Sequence, residues 1–343
     1  MRILASVRRV RDIQPIVGAD FIVRTQVDGW QCVTKKGEFQ VDDLGVYFEI
    51  DSFLSATDPR FSFLEKQFIN WENQQGARIR TVKFKGQIAQ GLMLPLSIFP
   101  EIENPTEGLD VTELLNVQKW EPPIPAQLAG EVVGLFPSFI KKTDEERIQN
   151  LIDVIPTEIA GQTFEESVKL DGTSMTVFHT IKDEQPYGGV CGRNLELRET
   201  AENSLWRVAR RNKMLEALAS LGRSIALQGE LIGEGIQENN EKIKGQEFYL
   251  FNIFDIATQT YLSPEERFAV VKQLNELGAN IKTVPVNRTI TFPTNITVEE
   301  ILATADGKSL FGDNREGLVF KRLDGKFSFK AISNWYLAKH ANR

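Results

Sequence analysis

The chain has 343 residues, 41% of them hydrophobic and 25% charged, a composition typical of a soluble globular protein of about two domains. Its net charge of −7 argues against a protein that coats nucleic acid non-specifically, although it leaves room for a local basic groove. No apolar run is long enough for a membrane span or a signal peptide, so we expect a cytoplasmic or otherwise intracellular protein. The two cysteines, Cys32 and Cys191, lie far apart, which excludes a disulfide framework and a cysteine-based zinc site.

The first 118 residues contain short runs of β-forming side chains separated by turn signals. Residues 21–27 and 30–34 flank Asp28-Gly29, a strong hairpin signal. Further strands are predicted at residues 46–50, 77–84 and 91–96. This succession predicts a small β-barrel, for which an OB fold is the natural candidate, so we expect an OB-type module at residues 1–118.

A proline-containing stretch then separates this module from the rest of the chain. Residues 119–135 contain three prolines and few periodic apolar positions, which is typical of a linker. The second domain is therefore predicted at residues 136–343. Near its start, Thr143 and Glu146 have the spacing of a capping box and predict a helix that begins at Asp144, with Arg147 on its first turn.

The second domain alternates strand and helix signals. Strands are predicted at 225–233 and 247–256, and helices at 202–221, from Ser263 to Gly278 and from Thr297 to Gly307. This pattern predicts an α+β domain with a mainly antiparallel sheet. The helix at 202–221 carries four cations: Arg207, Arg210, Arg211 and Lys213. Such a face is usually solvated, but in an acidic protein it is also a candidate for contacting nucleic acid.

The tetrapeptide Lys169-Leu170-Asp171-Gly172 ends one strand-like run and precedes another. Asp-Gly predicts a tight turn, which would hold the lysine amine at a strand end within reach of a nucleotide. Alone, this signal is weak, because lysines beside Asp-Gly turns arise by chance in many proteins.

A second Asp-Gly pair, Asp324-Gly325, lies between two β-forming runs near the end of the chain. A type I′ turn there predicts three pairs: Leu323 with Lys326, Lys321 with Ser328, and Val319 with Lys330. Because directly paired residues share a face of a sheet, we expect the last two pairs to point the same way.

Several motifs follow one another in a specific order. They are Lys-x-Asp-Gly at Lys169, Gly-Arg-Asn at Arg193, Gly-Glu at Glu230, Phe-Asp-Ile at Phe254, Glu-Gly-Leu-Val-x-Lys at Glu316 and a final lysine strand at Lys330. The order resembles the covalent nucleotidyltransferases, which are the polynucleotide ligases and mRNA capping enzymes with an ATP-grasp-like antiparallel domain. Because the β-rich module lies in front, the chain is most similar to the type V ATP-dependent RNA ligases.

The resemblance implies a role for each matching residue. Lys169 would be the nucleophile that carries AMP, and Lys330 would bind the α-phosphate. Asp171, Glu230 and Glu316 would hold Mg²⁺ or Mn²⁺ through water, and they are the acids that the sequence offers for an oxygen-ligated metal. The residues expected to bind ATP are Arg147 at the triphosphate, Val168 and Gly172 beside the lysine, Arg193 at the phosphate or the RNA end, Phe254 and Val319 on either side of adenine, and the lysines Lys321 and Lys326.

The chemistry imposes one further condition, and the sequence departs from the family pattern at one place. A nucleophilic lysine must be neutral near pH 7, and burial, a neighbouring cation or a divalent metal at the triphosphate can lower its pKa. The usual final motif is Lys-x-Lys, but here Ser328 and Ile332 stand two places either side of Lys330. As a hypothesis, Lys321, opposite Ser328 in the predicted hairpin, replaces the missing amine.

The expected activity is ATP-dependent ligation of RNA. AMP would pass from Lys169 to a 5′-phosphate end, which a 3′-OH then attacks, and the family likeness implies nicked duplexes or RNA ends as substrates. We expect a monomer. Two alternatives stay open: a GTP-dependent capping-type guanylyltransferase, disfavoured because no OB module follows Lys330, and a non-catalytic RNA-binding protein.

Overall fold

The computed structural model describes residues 3–120, 131–182, 184–199 and 203–339. The chain divides into two compact units, one of Met1–Ile124 with Asn334–Arg343 and the other of Pro125–Ser333. The final segment thus groups with the first unit, whereas the prediction, made from chain order, had placed it in the second domain. Most of the predicted linker, residues 121–130, lies outside the described residues.

The first unit is a curled antiparallel half-barrel of the predicted OB type. Its strands are β1 (Ala5–Pro15), β2 (Ile22–Val27), β3 (Trp30–Lys35), β4 (Leu44–Phe48), β5 (Ser52–Ser55), β6 (Phe68–Trp71), β7 (Gln74–Arg78), β8 (Val82–Phe84), β9 (Gln87–Ala89), β10 (Leu92–Pro95) and β11 (Gln118–Lys119). They form a five-stranded sheet in the order β10-β4-β1-β2-β3, a four-stranded sheet in the order β11-β5-β7-β6, and the hairpin β8-β9. Short 3₁₀ helices occupy Pro59–Gln67 and Leu96–Ile98.

The hairpin signal at Asp28-Gly29 is confirmed, because Val27 pairs with Trp30 across the turn between β2 and β3. The single strand predicted at 77–84 is instead divided between β7 and β8. Buried side chains on the inner faces of these strands form the core, among them Val7, Val46 and Phe48.

The second unit contains two sheets and is mainly antiparallel, as predicted. Its strands are β12 (Val132–Leu135), β13 (Glu146–Arg147), β14 (Thr163–Lys169), β15 (Thr173–Lys182), β16 (Gln185–Cys191), β17 (Leu195–Leu197), β18 (Ile225–Gly233), β19 (Gln246–Asp255), β20 (Thr260–Tyr261), β21 (Lys282–Thr283), β22 (Val286–Thr291), β23 (Gly317–Arg322) and β24 (Ser328–Ile332). The large sheet has the order β12-β17-β16-β15-β18-β19-β20, with β21 beside β19, and the small sheet has the order β13-β24-β23-β14-β22.

The helices are α1 (Ser204–Arg211), α2 (Met214–Leu221), α3 (Pro264–Glu276), α4 (Val298–Ala303) and α5 (Asn334–Lys339). Buried residues of α1, α2 and α3 share one core with the large sheet. The predicted helix at 202–221 is two helices, because Lys213 between them adopts a left-handed φ of 49°. None of the helices in the described ranges combines the length and the hydrophobicity needed to cross a membrane.

Helix caps were predicted well in two places and wrongly in a third. Ser263 with Glu266 and Thr297 with Glu300 form the expected capping boxes of α3 and α4. The helix predicted from Asp144 does not form. Arg147 instead pairs with β24, followed by a 3₁₀ turn at Ile148–Asn150, because a strand partner that is distant in sequence binds this backbone.

The two Asp-Gly pairs also behave differently from one another. Residues 170–172 make no hairpin, since they carry the chain from β14 in the small sheet to β15 in the large sheet. At the second pair the predicted register is confirmed, with Lys321 opposite Ser328 and Val319 opposite Lys330. The turn itself is longer than type I′: Arg322 N donates to Phe327 O at 2.9 Å, and of the two central residues only Gly325 has positive φ, of 72°.

Candidate active site

One face of the small sheet carries the predicted polar residues. Arg147, Lys330, Val319 and Ser167 are successive partners across β13, β24, β23 and β14, so their side chains share this face. Lys169 lies two residues beyond Ser167 and points the same way. The opposite face is apolar, with Phe320 and Phe329 stacked at a centroid distance of 4.9 Å. The sheet thus separates a packed core from a cationic row that ends at Lys169.

Lys169 meets Glu316 at the end of its strand. It pairs with Gly317, which brings the preceding Glu316 beside it, and Lys169 Nζ lies 2.7 Å from Glu316 Oε1. The side chains are 27% and 14% exposed. On its other side Gly317 lies close to β24, where a Cβ would be 2.1 Å from Ala331 O. The strand end therefore holds the amine against a carboxylate.

Two more carboxylates converge on this amine from other elements. Glu230 comes from β18 of the large sheet, and Asp171 is buried in the segment that joins the two sheets. Burial is the main cause that raises the pKa of Glu230 to about 8, and Glu316 and Asp171 raise it further, against the lowering effect of Lys169. The site thus holds more negative charge than its own lysine compensates.

The pKa of Lys169 differs from the expectation. Burial lowers it, but attraction to Glu316, Glu230 and Asp171 outweighs burial, so the pKa is raised above its ordinary value. The protein alone therefore keeps this amine protonated, whereas the sequence argument had counted burial or a neighbouring cation among the means of making it neutral. The reason is that the three acids predicted to hold metal also stabilise the protonated form of the lysine, Glu316 by direct contact and the other two by charge.

A divalent cation fits this donor set. Carboxylate oxygens are the ligands that Mg²⁺ and Mn²⁺ prefer, and a buried excess of negative charge favours a cation. Within the described ranges no three His, Cys, Asp or Glu side chains lie close enough to ligate one ion directly. The predicted contact through water is compatible with that spacing.

The remaining cations flank the amine. Lys330 Nζ lies 3.3 Å from Asp144 Oδ1, and Arg147 is half-buried beside Lys330 on the neighbouring strand. Arg193 is exposed in the loop between β16 and β17, close enough to Glu230 to lower its pKa. The binding of a triphosphate by these cations stays a prediction.

Lys321 lies inside the molecule. It is 6% exposed and donates a hydrogen bond to Phe251 O. Burial, followed by repulsion from Arg267, lowers its pKa to about 7. Arg267, on α3, donates to both carboxylate oxygens of Glu165 at 2.7 Å. Lys321 thus belongs to a buried polar cluster with Glu165 and Arg267. That Lys321 replaces the missing lysine of the final motif stays a prediction.

Lys326 lies far from the amine, and Phe254 is enclosed in the large-sheet core. Lys326 is exposed in the loop that follows β23, where Leu323 N bonds Thr163 O at the opposite end of β14 from Lys169. Seven residues of strand span about 20 Å, so the structure does not bring Lys326 to the amine. Phe254 is 1% exposed and packs on Tyr261 with ring centroids 5.2 Å apart.

The two residues expected on either side of adenine lie on different sheets. Val319 is half-buried on the polar face of the small sheet, while Phe254 lies on the large sheet. Val168 is buried, and its N–H donates to Pro285 O at 2.9 Å. Gly172 packs so tightly on β18 that a Cβ would lie 2.3 Å from Leu231 O. The adenine sandwich stays a prediction.

Sequence reasoning missed Gln228, which precedes Glu230 by two residues and shares its face of the large sheet. Gln228 is 1% exposed, and its Nε2 donates to Lys141 O at 2.7 Å. Its Oε1 is buried without a hydrogen-bond partner in the part of the chain that the structure describes. The sequence signal that could have identified Gln228 was its position as a polar residue inside the apolar run 225–232.

Comparisons with known proteins agree with this geometry. A family model described as an OB-fold domain matches residues 4–96, and one described as RNA ligase matches residues 162–332. A comparison with curated proteins gave no match. A solved structure of Naegleria gruberi RNA ligase with PPi is 57% identical, with a TM-score of 0.88 and 100% of both chains covered.

Two variants of that Naegleria gruberi ligase were solved with nucleotide and are each 56% identical to this chain. The variant with ATP and Mn has a TM-score of 0.87 and covers 100% of this chain and 99% of its own. The variant with AMP and Mn has a TM-score of 0.89 and covers 100% of both chains. With an N-terminal OB module and a nucleotidyltransferase domain behind it, this chain belongs to the RNA ligase family.

Proposed function

We propose that this RNA ligase joins 3′-OH and 5′-phosphate ends, including nicks in duplexes, through a lysyl-AMP formed at Lys169. The enzyme is ATP-dependent and uses a divalent metal, since the similar Naegleria gruberi ligase holds ATP or AMP together with Mn. The observation that carries the proposal is the placement of Lys169 Nζ, 2.7 Å from Glu316 and beside the cationic row of Arg147 and Lys330.

In the first step the neutral amine of Lys169 attacks the α-phosphorus of ATP. A phosphorus–nitrogen bond forms, the bond to the bridging oxygen breaks, and pyrophosphate leaves. Lys330 and Arg147 stabilise the negative charge on the phosphate oxygens, because they lie on the same face of the small sheet as the amine. Asp171, Glu230 and Glu316 would hold a divalent metal through water, and its positive charge would lower the pKa of the Lys169 amine.

In the second step a 5′-phosphate oxygen attacks the AMP phosphorus and the phosphorus–nitrogen bond breaks, which returns the lysine amine. In the third step the 3′-OH attacks the activated 5′-phosphate, a phosphodiester bond forms, and AMP leaves. The same cations can serve all three steps, since in each step a nucleophile attacks a phosphorus atom and the phosphate oxygens carry negative charge.

Transfer of radioactive label tests the proposal directly. The protein is incubated with α-labelled ATP or GTP and Mn²⁺, denatured and counted, with Lys169→Ala beside the wild type. Label retained from ATP and lost in Lys169→Ala is expected. Lys272→Ala is the matched control, because Lys272 is exposed on α3. Label from GTP alone would indicate a capping enzyme, and no label would indicate a binding protein. Sealing of a 5′-labelled nick in an RNA duplex then tests the later steps.

A further inference from the structure

Four cations lie together at the surface of the second unit. Arg207, Arg210 and Arg211 lie three and four residues apart on α1 and therefore share one face, and Lys213 follows at its end. All four are exposed. In the part of the chain that the structure describes, none of them forms an ion pair with a carboxylate. We call these four residues the α1 cationic cluster.

Neutral oxygens hold two of these guanidinium groups in place. Arg207 donates to Ser204 Oγ at 3.0 Å and to Gln246 Oε1 at 3.3 Å. Arg211 donates to the backbone oxygen of Gln246. These bonds orient the planar groups but cancel none of their charge. The two arginines are thus fixed in position and still carry a full positive charge.

Arg210 is held in a similar way. It donates to the backbone oxygen of Glu199, and its guanidinium carbon lies 5.4 Å from the centre of the Trp206 ring. Like charges three or four residues apart on a helix destabilise it, by roughly 0.2–0.5 kcal/mol a pair. In a chain of net charge −7, such a cluster is best explained by an anionic partner.

The cluster lies at the same end of the large sheet as Glu230 but on the opposite face, because α1 packs on the face that carries Leu231. Gln246, which binds Arg207 and Arg211, begins β19 and pairs with Gly233, whereas Tyr249 three residues later pairs with Glu230. Three residues of strand span about 10 Å. At this same end, Gln237 Nε2 donates to Gly172 O in the segment that follows Lys169.

We propose that the α1 cationic cluster binds the phosphate backbone of the RNA whose end is sealed at Lys169. The assignment deepens the proposed function and rests on it for the place at which the RNA end arrives. Arginine suits this contact because its planar group binds two phosphate oxygens at once. The cluster contacts backbone only, so the contact adds affinity without preference for sequence.

Salt-dependent binding tests this surface. The probe is a nicked RNA duplex whose 3′ end lacks its hydroxyl, so that it binds without being sealed. We compare the wild type with the triple variant Arg207→Ala, Arg210→Ala and Arg211→Ala. Affinity falls as salt rises, and each lost phosphate contact makes the plot of log affinity against log salt less steep by about 0.9. Three lost contacts therefore reduce the steepness by about 2.7. Between 50 and 200 mM salt, the wild type should lose about 40-fold more affinity than the variant.

Three controls make the result specific. The triple lysine variant, Arg207→Lys, Arg210→Lys and Arg211→Lys, should keep most of the slope, because it keeps the charge. Lys272→Ala, on α3, should bind like the wild type. Transfer of label from ATP to Lys169 should be unchanged in the triple alanine variant, since these arginines lie outside the nucleotide site.

The possible outcomes separate the two proposals. Equal affinity and equal salt slope in the wild type and the triple alanine variant would overturn the α1 surface. If the triple alanine variant takes no label from ATP, RNA binding is measured with the single variant Lys213→Glu instead. Wild-type affinity and salt slope in Lys213→Glu would then overturn the proposed RNA-binding surface. A wild type that takes no label from ATP contradicts the proposed function, while its salt slope still reports whether the cluster binds RNA.

Discussion

Two lysines on the same face of the small sheet have opposite electrostatic surroundings. Lys169 stands at the end of β14 among three carboxylates, and its pKa is raised. Lys321 stands within β23 beside Arg267, and its pKa is lowered to about 7. Burial lowers the pKa of both, so the neighbouring charges decide the difference. A lysine with a pKa near 7 is thus present without any ligand, but it is not the predicted nucleophile.

The contrast bears on the proposed nucleophile. If Lys169 attacks ATP as proposed, its carboxylates must first be neutralised, which would couple its reactivity to the arrival of metal and ATP. Lys321 needs no ligand, because burial and Arg267 already weaken its proton affinity. Variants that change the surroundings of one lysine at a time test this difference.

The largest effect is expected from Arg267→Met, which removes the cation beside Lys321. Glu165 would then remain buried without its bidentate partner, a loss of about 3–5 kcal/mol in the free energy of unfolding. Urea unfolding monitored by tryptophan fluorescence measures the change. The double variant Arg267→Met with Glu165→Leu should recover part of the loss, since the unpaired carboxylate is removed as well. Equal stability of the wild type and the single variant would contradict the buried ion pair.

The matching change beside Lys169 is Glu316→Gln, which keeps the shape of the side chain that contacts the amine and removes one negative charge. If the proton on Lys169 were the only obstacle, this variant would react faster, because the pKa of the amine falls. We expect instead that label transfer from ATP slows about 10- to 100-fold, since a carboxylate that orients metal-bound water is lost. Initial rates with Mn²⁺ from pH 6 to 9 measure this, with Glu276→Gln on α3 as control. A rate at or above that of the wild type would refute the metal role.

The sequence predicted what depends on neighbouring residues or on motif order. The capping boxes at Ser263 and Thr297 and the register around Asp324-Gly325 came out correctly, because short spacings determine them. The ordered motifs identified Lys169 and Glu316, which the structure brings within 2.7 Å.

What failed depends on contacts between distant parts of the chain. Thr143 and Glu146 have a helix-start spacing, but pairing of Arg147 with β24 replaces the helix. The partnership of Glu165 with Arg267 spans 102 residues, and no local pattern announces it. The low pKa of Lys321 depends on burial and on the same Arg267, which is distant in sequence, so it was equally out of reach.

The low pKa of Lys321 predicts a pH dependence of stability. The unfolded chain holds this proton up to about pH 10.4, whereas the folded protein releases it near pH 7, so the unfolded state binds more protons between these values. Stability therefore rises with pH in this window, by about 2 kcal/mol from pH 7 to pH 9. Urea unfolding of the wild type and Lys321→Met at both pH values measures the difference. An identical pH slope in both proteins would contradict the lowered pKa.

The smallest effect concerns Lys321 as the replacement for the missing second lysine. If its amine contributes to catalysis, Lys321→Ala and Lys321→Met should both seal nicked RNA about tenfold more slowly, because both lack the amine. If the amine only fills the space beside Phe251, Lys321→Met should seal like the wild type, because its chain occupies similar volume. Sealing rates at pH 7 and 9, measured on protein shown to be folded, separate the two. Wild-type rates in both variants would exclude Lys321 from the reaction and leave Lys330 as the one lysine of the final motif.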